Sequence, residues 1–427
     1  MLPAQLTDVG IFGSIERFGD LSIHAVIDLR RAFSRAELEI AMRAAVAAFP
    51  VLGCRYEPRF FRDHWIPADG PHSDAVHVVD APVDLEAETM AWAQRRLDPT
   101  RDRPLRVVSL HREGGSRLIL SLLHLAVDGG GVAAVGHVFG AALYGVPPSL
   151  PVDERRDLRS TLERLRFYHL PVLARDMAAS LLLPLRVLLS GKRERPYPQL
   201  PSAAPSVRQM VISVGEVLAL KARFSAQKAS INDLLIAALA KVSAGRSDRG
   251  DVVVLYTMDL RRYAASARLA AANISTIVTT LVPRASIGDL ASTAGAVAAI
   301  TRRHRESLVG PAFVLTPVAL TGSTPHALVR WMMKGIHPIA VDLPISRGMV
   351  LTNVGRVDEG LGAFGDDIEG IQIIGPIIES VPVPAVVAFG FRGELHLELY
   401  ASTGVAPEAL VELEGEIRAA LELPPAS

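Results

Sequence analysis

The segment LILSLLHLAVDGGG, residues 118–131, places a histidine and a carboxylate four residues apart, His124 and Asp128, between an apolar run and three consecutive glycines. An imidazole that ordinarily titrates near pH 6.5 can take a proton from an attacking hydroxyl or amine at neutral pH. Asp128 can orient that ring, or turn away and pair with a distant arginine, and the spacing leaves both open. With twelve histidines in the chain, one H-x-x-x-D arises easily by chance. Its context sets this one apart. The run 118–123 reads as a buried strand that delivers His124 to its end, three residues make a turn, and Asp128 opens a glycine-rich segment that leads into a helix. Strand ends and the loops after them are where sites collect.

Other signatures of covalent or cofactor chemistry are absent: no G-x-S-x-G elbow, no P-loop and no H-E-x-x-H helix. GLGAFG (360–365) matches G-x-G-x-x-G, but it follows a polar turn and precedes DDIEGIQII, which reads as strand. A dinucleotide loop needs a strand before it and a helix after it. We read it as a glycine-rich turn. Cys54, the one cysteine, follows FPVLG among Val51, Leu52 and Tyr56 and reads as a buried structural thiol. His64 and His137 have no carboxylate pattern beside them and read as surface or packing histidines.

The chain has 427 residues, 49% hydrophobic and 21% charged, with 45 Lys+Arg against 45 Asp+Glu. That profile excludes disorder as the main state and suits a soluble, enzyme-sized protein of two or three domains or one two-lobed unit. Zero formal charge gives no general pull toward nucleic acid or an anionic membrane. A single cysteine excludes an internal disulfide and a cysteine-based zinc site, and points to a reducing compartment. The first twenty residues lack a basic region followed by an apolar stretch, so a cytoplasmic protein is expected.

The elements that must position the histidine can be read from periodicity. Leu21, Ile23, Ala25, Ile27 and Leu29 alternate as in a half-buried strand. Ser34 and Glu37 make a capping box for a helix whose Leu38, Ala41, Met42, Ala45 and Phe49 share one face before Pro50. Short apolar runs at 75–79, 105–110 and 117–124 read as strands. Later, Ser230 caps a helix ending at Gly245, Ser286 starts another through about Arg305, and a last one begins near Pro407 as its first residue. Strands are expected at VVVLYTM, ISTIVTTLV, GMVLTNV, AVVAFGF and LHLELYA. The proline-rich run 196–206 reads as an extended connection. The expected division is a lobe at 1–153, a helical bridge and linker at 154–206, and a second lobe at 207–427. In the bridge, FYHLPVLARDMAASLLLPLRVLLSG is apolar but interrupted by Arg175, Asp176, Arg186, Pro171 and Pro184. It reads as a broken pair of amphipathic helices, with 168–190 as a peripheral lipid contact or an apolar substrate entrance.

The segment around His124 resembles the H-H-x-x-x-D-G motif of the condensation-domain and CoA-dependent acyltransferase superfamily, which includes wax ester synthases and polyketide-associated acyltransferases. Four other stretches agree in order. AAVAAFPVLGCRY resembles the family's early helix and Pro-x-Leu strand entry, and SINDLLIAALA its Asn-Asp helix start. YTMDLRRY resembles its strand followed by an arginine, and VLTNVGRV its late Ser-Asn-x-Gly strand. Together they span about residues 40 to 360. Leu123 departs from the pattern, standing where many members carry the first histidine.

The resemblance implies an α/β (α+β) fold of two chloramphenicol-acetyltransferase-like lobes with a central substrate tunnel. It implies an acyltransferase with His124 as general base and Asp128 as a structural or orienting residue paired to an arginine of the second lobe, Arg261 first and Arg262 second. Gly129, Gly130 and their neighbour Gly131, with Thr352 and Asn353, are the expected substrate and oxyanion contacts. No bound cofactor and no metal are implied; an acyl-CoA or acyl-carrier-protein thioester is the co-substrate, an alcohol or amine the acceptor, and secondary-metabolite or lipid biosynthesis the setting. The rival readings are a non-catalytic scaffold that recruits a biosynthetic partner and a repurposed cyclase or isomerase.

Overall fold

In a computed structural model the described residues are 1–19, 21–189, 205–247, 250–342, 348–376, 384–401 and 404–425. The first part of the chain runs β1 (Leu2–Pro3), α1 (Leu6–Phe18), β2 (Ser22–Leu29), α2 (Arg35–Ala48), β3 (Cys54–Glu57), β4 (His64–Pro67), β5 (Val76–Asp80), α3 (Leu85–Gln94), β6 (Leu105–Arg112), β7 (Gly115–Leu123) and α4 (Gly129–Leu143). The bridge holds α5 (Leu158–Thr161) and α6 (Leu170–Leu189). The rest runs β8 (Ser206–Ile212), α7 (Val214–Arg223), α8 (Ile231–Gly245), β9 (Val252–Asp259), β10 (Ser275–Val282), α9 (Leu290–Glu306), α10 (Val309–Thr321) and α11 (His326–Asp342). It ends with β11 (Met349–Arg356), α12 (Asp358–Leu361), β12 (Ile368–Ile374), β13 (Ala385–Phe391), β14 (Glu394–Ala401) and α13 (Glu408–Ala420).

Two sheets carry the two lobes, a five-stranded one ordered β12-β2-β7-β6-β5 and a six-stranded one ordered β10-β9-β11-β13-β14-β8; β1, β4 and β3 form a small third sheet. Each large sheet has its own apolar core. One strand ignores the linear division. β12, although it lies between β11 and β13 in the chain, pairs antiparallel with β2, with Ile371 opposite Ile27. Its return is held by a buried polar junction. Gln209 donates to Glu398 Oε1 at 2.7 Å and to Ile371 O at 3.1 Å, and Gln372 donates to Glu398 Oε2 at 3.3 Å. Burial pushes the Glu398 carboxyl up to about 7 in spite of these donors.

Local chemistry explains most elements, and a few differ from the expectation. Ser34 and Glu37 cap α2 reciprocally, and Leu38, Ala41, Met42 and Ala45 are its buried face. β2 is buried on both faces rather than half-buried, because its second face is covered as well. That face carries His24, whose Nδ1 lies 2.9 Å from Ser121 Oγ; burial, then the charge of Arg106, pushes the imidazole down to about 3, so it stays neutral. Asp289, not Ser286, caps α9, because its carboxylate accepts from Ser292 N at 2.7 Å whereas Ser286 closes a preceding turn. Pro407 is the N-cap of α13 rather than its first helical residue. The bridge is not a broken pair: α6 runs twenty residues through Pro184, and Pro171, at its second position, costs no hydrogen bond. Of the proline-rich run 196–206, only Pro205 and Ser206 are among the described residues. Among those residues no single helix is long and apolar enough to cross a membrane, although α10 with the first part of α11 passes as a sharply bent pair.

Candidate active site at the seam of the two sheets

All nine residues of β7 are buried, with β2 on one side and β6 on the other, so the end of this strand is held from both edges. His124 N donates to Leu21 O at 3.0 Å and extends the ladder by one residue. The chain then turns: Ala126 N and Val127 N both donate to Leu123 O, at 2.9 and 3.2 Å. Asp128 is the N-cap of α4, accepting from Gly131 N at 2.8 Å. Leu123 is 2% exposed and belongs to the core of the first lobe.

Two contacts fix the half-buried His124 ring. Nδ1 lies 2.9 Å from Val127 O, which only accepts, so Nδ1 carries the proton and Nε2 presents its lone pair. Nε2 has no hydrogen-bond partner among the described residues. From the far side, Asn273 donates its amide to His124 O at 2.9 Å, with the same nitrogen 3.2 Å from Nδ1. Asn273 precedes β10, so the second lobe backs the histidine of the first. The sequence reading missed this residue, because an asparagine before a strand carries no signal of what it faces 149 positions earlier.

Asp128 turns away from the imidazole. Its carboxylate is 1% exposed and meets Arg261 in a two-pronged pair, Nη2 to Oδ1 at 2.8 Å and Nη1 to Oδ2 at 3.0 Å. Ile274 N donates to Oδ2 at 2.8 Å and Gly131 N to Oδ1. Burial by itself raises this carboxyl, but Arg261 and the two backbone donors outweigh it and hold the carboxyl below the usual carboxylate range. Arg262 does not share the pair; it is exposed, over the Tyr263 ring at 5.5 Å.

The glycines follow from close approach. A Cβ on residue 130 would lie 2.6 Å from Arg261 Nη1, and one on residue 131 would lie 2.9 Å from Val127 Cβ, whereas residue 129 meets only Val354 at 3.4 Å. The amides of Gly129 and Gly130, at the start of α4, have no intrahelical partner. Thr352 and Asn353 lie on β11, between β9 and β13. Asn353 donates its amide to Asn232 Oδ1 at 3.2 Å and accepts from Gly355 N at 2.9 Å. The β11 residue that reaches the start of α4 is therefore Val354, next to the predicted pair.

A second residue that the sequence reading missed is Arg156. From the bridge, 7% exposed, it donates to Asp8 Oδ2 at 2.9 Å, to Ala126 O at 2.9 Å and to Ala271 O at 3.2 Å. Asp8 is fully buried and also accepts from Trp65 Nε1 at 2.9 Å. One guanidinium thus ties α1, the turn after His124 and the loop before β10. Cys54, by contrast, lies away from this cluster: its Sγ donates to Pro50 O at 3.3 Å, and burial pushes the thiol up. His137 is a packing histidine, accepting from Ser149 N at 2.9 Å. Residues 360–365 are not a simple turn: they close α12 and enter a 3-10 stretch, Gly362–Asp367, that runs directly into β12, so no α-helix follows them as a dinucleotide loop requires. Among the described residues no group of histidine, cysteine and carboxylate side chains is placed to hold a metal.

No family model matches the sequence, and no curated protein matches it. Solved structures do. TRI3 trichothecene 15-O-acetyltransferase from Fusarium sporotrichioides is similar with a TM-score of 0.72 at 14% identity, over 98% of this chain and 94% of that one. The first condensation domain of the CDA synthetase is similar with a TM-score of 0.67 at 17% identity, over 100% and 97%. Polyketide synthase associated protein 5 from Mycobacterium tuberculosis is similar with a TM-score of 0.65 at 18% identity, over 98% and 97%. Along nearly its whole length the chain has the fold of these solved structures, an α/β architecture of two lobes.

Proposed function

We propose that this chain is a cytoplasmic acyltransferase that moves an acyl group from a CoA or carrier-protein thioester to a hydroxyl or amine, in secondary-metabolite or lipid biosynthesis. The observation that carries the reading is the setting of His124: Nδ1 faces the carbonyl of Val127 at 2.9 Å, and the tautomer that donates to it leaves Nε2, which has no partner among the described residues, as the base at a seam between lobes. In the reaction Nε2 removes the proton of the acceptor as its oxygen or nitrogen attacks the thioester carbonyl. The tetrahedral adduct collapses with cleavage of the C–S bond, and the imidazolium returns the proton to the departing thiolate. No acyl-enzyme is needed. The oxyanion requires donors, and the free amides of Gly129 and Gly130 are the best placed on this chain; the side-chain amide of Asn353 is already committed to Asn232. Asp128 and Arg261 position the turn.

The test is thiol release from a panel of acyl-pantetheine and acyl-CoA thioesters with mixed alcohols and amines. Acceptor-dependent release supports the reading. Thioester-independent turnover of an acceptor-like substrate would replace it with a cyclase or isomerase on the same fold. A scaffold role is favoured by Leu123, the departure from the paired histidines, and predicts tight partner binding with no release from any donor. Within the active enzyme, Asn273→Ala removes one hydrogen bond behind the histidine, worth about 0.5–1.5 kcal/mol. The expected result is a loss of roughly two- to tenfold in kcat with KM little changed. Loss confined to KM would show that Asn273 binds substrate instead.

A hydroxyl on a lipid-like or polyketide acceptor fits the outer face of α6. That helix packs inward with polar groups, Asp176 accepting from Leu308 N at 2.9 Å and Ser180 Oγ lying 3.1 Å from Thr316 Oγ1. Outward it shows Leu181, Leu182, Leu185 and Leu189, each more than half exposed. A helix whose apolar side faces outward suits shallow contact with lipid. Since burying a leucine contributes about 1.5–3 kcal/mol, Leu182→Glu with Leu185→Glu is expected to weaken vesicle co-sedimentation by at least about tenfold. Turnover of short water-soluble substrates should not change. Unchanged sedimentation would remove the lipid contact.

A further inference from the structure

Behind the Arg261–Asp128 pair lies a cavity of about 330 Å³. The bridge and the loop that runs from Arg261 to β10 flank it, and its apolar wall is made by Leu150, Ala264, Ala267, Ala270 and Ile274. Five arginines also line it: Arg155, Arg164, Arg261, Arg262 and Arg268. The nearby carboxylates are already taken. Asp153 accepts from Arg155 at 3.0 Å and Arg268 at 2.6 Å, Glu163 from Arg268 at 2.7 Å, and Asp128 and Asp259 pair with Arg261. Arg164 and Arg262 have no carboxylate partner among the described residues. Arg164 reaches only two backbone carbonyls, both at 3.4 Å, and Arg262 lies over an aromatic ring. Two guanidinium groups beside an apolar wall, neither paired with a carboxylate, can both be met by one oxygen anion.

We propose that this cavity is a second binding site, taking a small amphiphilic anion: one carboxylate or phosphate group on a short apolar body. The anion meets Arg164 and Arg262, and the apolar body lies along the alanine wall. A volume of this size is at the lower end for a small-molecule site and suits a chain of a few carbons. The site is separate from the chemistry proposed for His124 and touches it indirectly, through the loop that carries Arg261, Asn273 and Ile274. An occupant that stiffens this loop changes how firmly Asp128 and His124 are held.

Calorimetric titration of the full-length protein with hexanoate and with hexyl phosphate tests the site without any turnover, so its failure is distinct from failure of the acyltransferase reading. Inorganic phosphate and hexanol serve as the head-only and tail-only probes. Saturable binding of one hexyl anion is expected, weakening with added salt, and the stronger of the two identifies the head group. A double variant, Arg164→Ala with Arg262→Ala, removes two exposed or half-exposed side chains and should keep its thermal unfolding. It is expected to bind about tenfold or more weakly, as loss of a charge-assisted contact predicts. Absence of saturable binding by either anion overturns the proposal, as does equal binding by the double variant. Hexanol or inorganic phosphate binding as tightly as the hexyl anions overturns the amphiphilic class.

Discussion

His124→Ala is expected to leave a folded protein whose acceptor-dependent thiol release is slower by about 10²–10⁴-fold, the usual effect of removing a general base. The structure makes this a clean substitution. The ring is half-buried at the end of β7, and the contacts that hold the strand, His124 N to Leu21 O and Asn273 to His124 O, are made by backbone atoms that alanine retains. Circular dichroism and the urea midpoint should therefore match the wild type closely. Binding of a non-reacting donor should also survive, because the loss lies in the proton transfer. Near-full rate in the folded variant would sink the mechanism, and the weight would pass to the scaffold reading.

Asp128→Ala is expected to act in the opposite way, on the fold before the chemistry. It leaves Arg261, 21% exposed, without its main countercharge, and removes the acceptor for Ile274 N and Gly131 N. Removing one partner of a buried pair costs about 3–5 kcal/mol, much of it the penalty of the stranded charge. The check is urea unfolding. A fall in stability well under 1 kcal/mol would show that the pair contributes only geometry. Pairing Asp128→Leu with Arg261→Met should recover part of the loss, since no charge is then stranded. The same pair sets a pH dependence. The Asp128 carboxyl is depressed in the folded state, so its contribution is present above its ordinary value of 3.8 and is lost as pH falls through the lower folded value. Acid destabilisation below about pH 4 should be shallower in Asp128→Asn than in the wild type.

Much of the site was legible in the chain. A run of apolar residues ending at His124, followed by a three-residue turn, a capping aspartate and glycines, is local chemistry, and the structure contains each of those elements. The capping box at Ser34 and the cap at Ser230 read correctly for the same reason, and the structure closes each with a glutamate or aspartate three residues on. Ser286 misled because hydroxyl and carboxylate caps compete and Asp289, three residues later, is the better acceptor. The 168–190 segment misled because a proline near a helix start is harmless and one in its interior is tolerated when other contacts hold the helix.

By itself, the sequence determined where a histidine meets the end of a strand, which residue caps the next helix and why glycines follow, since all of these are settled within a few residues by backbone hydrogen bonding and side-chain size. The tertiary structure alone decided which way Asp128 points and what supports the ring. Arg261 lies 133 positions from Asp128 and Asn273 lies 149 from His124, and β12 leaves its own half to pair with β2. Partners at such separations are chosen by how two sheets pack, because burial penalises every unpaired charge or amide until the fold supplies a match.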